Sequence, residues 1–279
     1  MPEGDTLFRT AAGLRPFLVG RTVTAATARQ PGPQVERLVG STVSGVEAQG
    51  KNLLLRFANG LEVRTHLGMH GSWHRYRPGE RWRRPRARAR LIIEVPGSIA
   101  VCFDAPTVEL FEQRAESLHG ALSGLGPDLL RDPLNLEEVI RRLRDPSRAS
   151  MAISEALLDQ RALAGIGNVY KSEVLFIERV SPFTPVASVD DPTLRRLVGT
   201  ATRLLRANAF RPTRGVERIT TEGSRSADGP LWVYRRSGRP CRRCGTTIRS
   251  VTQGVSLPRL TWWCPRCQPE VEGASAVRA

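Results

Sequence analysis

Four cysteines near one end of this 279-residue chain carry its most explicit chemistry. Cys241 and Cys244 form one C-x2-C pair and Cys264 and Cys267 another, with nineteen residues between the pairs. Each pair offers two thiolates on a tight turn, and two such turns complete a tetrahedral zinc site. With four protein ligands the site has no open position, so the metal is expected to be structural rather than catalytic. The intervening segment is long enough for a β-hairpin, with Val251, Val255 and Trp262 as its expected core. The fifth cysteine, Cys102 in AVCFDAP, reads as a buried small hydrophobe.

Three other places bear on chemistry. The chain begins MPEGDTLFRT, and a proline followed by acids suits an ordinary helix start, which leaves open whether Pro2 also does chemistry. Lysine occurs only at Lys51 and Lys171 in a chain that is otherwise basic through arginine. In LLDQRALAGIGNVYKSEVLF a turn with Gly165 and Gly167 runs into Asn168 at the start of the next helix. Small residues let a backbone approach closely and an open helix N-terminus offers N–H groups to a phosphate, so Asn168 is either a cap or a phosphate ligand. The net charge of +15 favours an anionic partner, nucleic acid being the commonest, although an arginine-rich proteome gives the same composition. Within RYRPGERWRRPRARAR the arginines form either a solvated loop or a phosphate-facing one.

The elements that position these residues follow from periodicity. Leu7, Phe8, Ala11, Leu14 and Leu18 share one face of a helix that Asp5 or Thr6 can cap and Gly20 can end. From Arg21 to Val108 short β-rich runs alternate with turn residues: RTVTAATA, STVSGVEAQ, NLLLRFA, LEVRTHL, ARLIIEV and IAVCFD. Their spacing suits an antiparallel sandwich or barrel. HGALSGLGPDLLRDP, rich in Gly and Pro, crosses to a helical region. There Asp132 before Pro133 marks a helix start, SMAISEALLDQ is helical, and Asp191–Pro192 begins a helix with Leu194, Leu197, Val198, Ala201, Leu204 and Leu205 on one stripe. TTEGSRSADGP reads as a mobile polar loop and EVEGASAVRA as a frayed tail. The expected class is α+β: a first domain over 1–124, a helical one over 125–220, the cysteine unit with its preceding loop over 221–268, and a tail over 269–279. No long apolar run is present and the N-terminus is acidic where a signal peptide is basic, so no membrane span and a cytoplasmic location are expected.

Four separated features then coincide: MPEGDT, the central GKNLL (Gly50 to Leu54), LLDQRALAGIGNVYKSE, and the cysteine hairpin ending RLTWWCPRCQ. In that order and spacing they resemble the formamidopyrimidine-DNA glycosylase/endonuclease VIII family of base-excision repair enzymes, over about residues 2–268. The resemblance implies an N-terminal helix and β-sandwich, a helix–two-turn–helix domain and a β-hairpin zinc finger holding one structural Zn2+. It implies a monomer whose partner is damaged DNA, removing an oxidised base and then cutting the strand by β,δ-elimination. Pro2, freed by loss of Met1, would attack C1′ through its secondary amine. Glu3 would assist ring opening and proton transfers. Lys51, Asn168 and Arg259 would hold phosphates, and Met69 would wedge into the gap left by the flipped nucleotide, unless it is merely core packing.

Two features point to the endonuclease VIII branch, and hence to oxidised pyrimidines. The chain has Pro-Glu-Gly where the other branch has Pro-Glu-Leu-Pro-Glu, and residues 105–110 contain neither arginine nor aromatic, so the Arg-x-Phe wedge is missing. Thr6 stands where the family usually has a second glutamate, which puts any proton-transfer role of that position in question.

Overall fold

Leu7, Ala11, Leu14 and Leu18 all point to one side of helix α1 (Gly4–Leu18) and all are buried. This is a computed structural model, and it describes residues 2–211, 218–221, 229–254 and 258–270. The N-cap of α1 is Glu3, not Asp5 or Thr6 as expected. Glu3 has the extended backbone that a cap needs (φ −129°, ψ −178°), and its carbonyl accepts the N–H groups of Thr6 at 2.9 Å and Leu7 at 3.2 Å. Asp5 is already inside the helix with its side chain drawn fully out of solvent, which removes it from capping. Phe8 sits at the margin of the buried face and stays partly exposed. Gly20, at φ 77°, follows the helix end as the sequence suggests.

The chain divides into two compact units, Met1–Gly124 and Leu125–Ala279. In the first, strands β1 (Ala25–Ala28), β2 (Val43–Gln49), β3 (Asn52–Phe57), β4 (Leu61–His66), β5 (Ser72–Tyr76), β6 (Ala89–Val95), β7 (Ser98–Phe103) and β8 (Thr107–Glu112) form two antiparallel sheets. Their orders are β1-β6-β7-β5 and β2-β3-β4-β8. Leu91, Ile93, Val95, Ala100 and Cys102 of one sheet meet Val43, Val46, Leu53, Leu55 and Val63 of the other in a single core, which the apolar face of α1 completes. Cys102 is fully buried, and burial pushes its thiol far above the ordinary range. Strands β5 and β8 are not among the expected runs. Both lie at sheet edges; β5 buries only Trp73 and Tyr76, and β8 packs Val108 and Leu110 against the core without fully burying any residue, so their patterns are weak.

The second unit follows a single short turn, α2 (Gly120–Ser123). Helix α3 (Leu136–Leu143) starts later than expected because Asn135, not Asp132, caps it by accepting the Glu138 N–H at 3.0 Å. α4 (Ile153–Ala156) is one turn, shorter than the helical reading of SMAISEALLDQ. α5 (Asn168–Ile177) and α6 (Asp191–Ala209) are followed by the hairpin of β9 (Arg249–Gln253) and β10 (Arg259–Trp263). α6 is capped by Asp190, whose carboxylate accepts the Thr193 N–H at 2.8 Å. Val251 is exposed rather than buried in the hairpin, and Val255 lies outside the described residues. The cluster there is instead Cys241, Ile248, Trp262 and Cys264 packed with Val233, Tyr234 and the α5 residues Val169 and Phe176. A two-stranded ribbon has too little surface of its own to bury, so it borrows a helix. Of the expected mobile loop over 220–230, Thr220 and Thr221 are buried, while its residues 222–228, like 271–279 of the expected tail, lie outside those described. No helix among the described residues is long and apolar enough to cross a membrane.

α5 organises the second unit. Every residue from Asn168 to Phe176 is buried, and it feeds two clusters, Tyr170, Val174 and Leu175 into one and Val169 and Phe176 into the other. A helix buried all round must satisfy its polar side chains internally. The carboxylate of Glu173 accepts the backbone N–H groups of Trp232 at 2.7 Å, Val233 at 2.9 Å and Tyr234 at 2.9 Å, and the Thr220 hydroxyl donates to it as well. Replacing Glu173 with alanine strands three buried donors and is expected to cost about 3–5 kcal/mol. A urea midpoint for Glu173→Ala within error of the parent would contradict this.

Candidate functional site

Pro2 and Glu3 precede α1, and two kinds of contact fix that helix. Its leucines enter the core, and the Arg15 guanidinium donates to the Val46 carbonyl of β2 from Nε (3.2 Å) and from a terminal nitrogen (2.9 Å). Glu3 is fully buried and its carboxylate is not spent on capping the helix. Asp5 is a second fully buried carboxylate at this helix start, 3.4 Å from both Arg9 and the Thr6 hydroxyl.

Lys51 lies at the other end of the element that holds α1. Gln49 of β2 faces Asn52 of β3, which leaves Gly50 and Lys51 as a two-residue hairpin turn. Gly50 takes φ 57°, which a side chain at that position would resist. Beneath the turn runs a chain of polar groups. Asn52 donates to the Gln49 carbonyl (3.2 Å) and accepts from Arg64 Nε (2.9 Å). Arg64 also pairs with Glu109 of β8 (2.6 Å), which lies 3.1 Å from His119 Nε2. Asn52 and Arg64 are buried, so the base of the lysine turn is set by interactions shielded from solvent. Burial, followed by the charges of Arg64 and Lys51, holds the His66 pKa below its usual value. The neutral ring keeps a lone pair on Nδ1 to accept the Gly68 N–H at 3.3 Å.

Gly68 begins the turn that carries Met69. The Leu67 carbonyl accepts the Gly71 N–H at 2.8 Å and closes it. A Cβ on Gly68 would lie 2.9 Å from the Pro106 ring, and one on Gly71 would lie 2.4 Å from the Leu67 oxygen, so both glycines are required. Met69 at the apex is 58% exposed. The core-packing reading of this residue is thereby set aside: the turn presents an apolar side chain to solvent on a rigid base.

In the second unit, Gln160 ties the turn before α5 together, donating to the carbonyls of Leu158 (2.9 Å) and Ile166 (3.1 Å) and accepting the Gly165 N–H (3.1 Å). The N-cap of α5 is Gly167, so Asn168 is the first helical residue and the capping reading of its side chain fails. Asn168 Nδ2 donates to the Leu260 carbonyl at 2.8 Å, while its Oδ1 is buried with no hydrogen-bond partner among the described residues. Lys171, one turn on and 1% exposed, reaches the same carbonyl at 3.4 Å and the Thr261 hydroxyl at 2.8 Å. Both grip the residues that follow Arg259, whose exposed side chain donates to the neighbouring Pro258 carbonyl at 3.2 Å. Asn168 and Arg259 are therefore brought to adjoining places by one shared backbone group.

The four cysteine sulfurs all lie within 4.8 Å of one another, with Cys241–Cys267 at 3.9 Å and Cys244–Cys264 at 3.5 Å. A zinc tetrahedron with Zn–S near 2.3 Å needs sulfurs about 3.8 Å apart, so the donor set fits the ion. Hydrogen bonds from the Thr246 side chain and backbone pull the Cys244 thiol down to about 6, whereas burial pushes Cys264 and Cys267 up. Lys171, Glu173, Gln160 and the Asn52–Arg64–Glu109 chain are absent from the sequence-based candidates. Only Lys171 left a signal there, through the scarcity of lysine.

Family profiles match the chain in three blocks: the formamidopyrimidine-DNA glycosylase N-terminal domain over residues 1–107, its H2TH domain over 125–218, and a zinc finger found in FPG and IleRS over 238–269. The chain is similar to a probable endonuclease 8 2 of Streptomyces coelicolor, 42% identical and covering 100% of this chain and 99% of that one. It is also similar to the DNA-(apurinic or apyrimidinic site) lyase Nei2 of Mycolicibacterium smegmatis, 38% identical over 96% of this chain and 99% of that one. The fold matches Lactococcus lactis Fpg, solved in complex with an abasic site containing DNA, with a TM-score of 0.80 and 21% identity over 96% of this chain and 100% of that chain. Profile and full-length likeness agree with the helix, sandwich and thiolate cluster described above, and the chain belongs to the formamidopyrimidine-DNA glycosylase/endonuclease VIII family, on its endonuclease VIII branch.

Proposed function

We propose that the protein is a bifunctional DNA glycosylase and abasic-site lyase of base-excision repair, acting on oxidised pyrimidines through the amine of Pro2. One observation carries the reading: Pro2 and the buried Glu3 begin a helix fastened to β2, the strand whose hairpin turn holds Lys51. An amine must be neutral to attack carbon. A free α-amino group has a pKa of about 7.7–8.0, so part of it is neutral near pH 7; the positive end of α1 disfavours the protonated form, while the carboxylates of Glu3 and Asp5 act the other way. Attack on C1′ forms a C–N bond as the bond to the damaged base breaks. Glu3 protonates O4′ as the sugar ring opens to the iminium, and loss of the 2′ and then the 4′ proton expels the 3′ and 5′ phosphates.

The remaining residues hold the substrate. Lys51 sits on a phosphate beside the lesion. Asn168 keeps a second N–H for a phosphate after bonding the Leu260 carbonyl, and Arg259 supplies a fork for another. Met69 fills the space left by the flipped nucleotide and offsets part of the unstacking cost. Zinc supplies no reaction step; its charge holds Cys241, Cys244, Cys264 and Cys267 as thiolates and thereby fixes the hairpin that bears Arg259. The reading makes the protein a cytoplasmic monomer acting on the chromosome, and the lack of the Arg-x-Phe wedge supports pyrimidine over purine lesions.

Single-turnover nicking tests the reading. Duplexes carrying dihydrouracil or thymine glycol should be cut at least about tenfold faster than 8-oxoguanine opposite cytosine, and the reverse order would overturn the pyrimidine assignment. Glu3→Gln should slow cutting of the dihydrouracil duplex by about 10²–10⁴ while binding of an abasic duplex stays within a few-fold. Binding without cutting by the parent protein would instead mark a catalytically lapsed DNA-binding protein. Stripping zinc with a chelator should weaken abasic-duplex binding at least about tenfold and alter the fluorescence of Trp262 and Trp263, which flank the cluster. Unchanged affinity in demonstrably metal-free protein would remove the hairpin from the binding surface.

A further inference from the structure

The arginine stretch finds no place in the site so far. It forms the 77–88 loop between β5 and β6, with six arginines and a single glutamate. The loop is firmly built. Trp82 stacks on Tyr76 (5.6 Å between ring centres, 15°) and meets Phe103 edge-on (5.8 Å, 86°), while the Arg86 guanidinium lies 4.5 Å from the Trp82 ring centre. The Tyr76 hydroxyl accepts the Arg83 backbone N–H at 3.1 Å and Glu80 accepts that of Arg77 at 2.9 Å. Asp104 pairs with both Arg84 (2.6 Å) and Arg88 (2.8 Å). What remains is a set of three. The side chains of Arg77, Arg81 and Arg83 are exposed and make no hydrogen bond or ion pair among the described residues. Arg84 also donates to the His70 carbonyl at 3.2 Å, which ties the loop to the turn that exposes Met69.

We propose that Arg77, Arg81 and Arg83 form an accessory grip on DNA phosphates beside the Met69 turn, extending the footprint past the flipped nucleotide. Like charges held on a rigid platform repel one another until an anion neutralises them, and a polyphosphate backbone presents anions at matching density. Trp82 is already engaged by Tyr76, Phe103 and Arg86, so the platform has no ring to offer a base. Its contacts are with backbone and carry no sequence or lesion preference. The inference rests on the glycosylase reading and adds a surface that the reaction itself does not require.

The test compares the full-length parent with the Arg77→Ala/Arg81→Ala/Arg83→Ala variant and its Arg→Lys counterpart. The readout is equilibrium binding to a 25-base-pair duplex, with and without an abasic site, across a salt series. Each phosphate contact contributes about 0.9 to the log–log salt slope, so the alanine variant should show a slope shallower by about 2–3 on both duplexes. The lysine variant should keep the parental slope, and single-turnover cutting at saturating enzyme should be unchanged in both, which also shows that they fold. A parental slope in the alanine variant, or a slope lost in the lysine variant as well, overturns the inference. A parent that binds with a loop-dependent slope but cuts nothing overturns the glycosylase reading and leaves this one standing.

Discussion

The fastening of α1 to β2 is the constraint on which the first unit depends. A chain terminus ordinarily frays, and the proposed reaction needs an amine held in one place. Here the terminal segment becomes a helix whose four apolar contacts enter the sandwich core and whose Arg15 makes two hydrogen bonds to the Val46 carbonyl. The same strand leads through Gln49 into the Gly50–Lys51 turn. The three residues of the proposed chemistry, Pro2, Glu3 and Lys51, thus ride on two elements that are packed and hydrogen-bonded to each other. The sandwich supplies the rigidity: β3 is buried on both faces at Leu53, Leu54 and Leu55, and Arg64 with Asn52 locks the hairpin turn from the inside.

The second unit solves a related problem with buried polar groups. α5 has no solvent face over Asn168–Phe176, so each polar side chain on it must find a partner within the protein. Asn168 and Lys171 converge on the Leu260 carbonyl, and Glu173 gathers three backbone N–H groups of the segment before the zinc hairpin. These directional bonds set where Arg259 stands along the hairpin, which apolar packing of Trp262 and Ile248 alone would leave free to slide. Zinc fixes the far end of the same ribbon. Helix and metal together give a two-stranded element a single geometry that it could not hold alone.

Much of this was legible in the sequence because its signals are local. Leu7, Ala11, Leu14 and Leu18 declare a helix face, the alternation in ARLIIEV declares a strand, and two C-x2-C turns declare a thiolate cluster. The catalytic candidates Pro2, Glu3 and Lys51 carry no periodic signal; beyond the scarcity of lysine, they stand out because MPEGDT, GKNLL and the cysteine hairpin occur together. What escaped was non-local. β5 and β8 are edge strands whose pairing is decided by distant partners, as in Arg64 opposite Glu109. Lys171 with Thr261, and Glu173 with Val233, join residues far apart in the chain. Such polar cross-links have no periodicity, so nothing in the order of residues announces them.

With Met1 removed, as the proposed function requires, the amines of the chain are the Pro2 nitrogen, Lys51 and Lys171, the last of which is 1% exposed. This scarcity makes the central claim open to direct measurement. A dihydrouracil duplex is incubated with the protein under borohydride, and the adduct is digested and mapped by mass spectrometry. The account predicts a reduced sugar adduct on the nitrogen of Pro2 in the N-terminal peptide. An adduct on Lys51 or Lys171, or none while the strand is still cut, would contradict it.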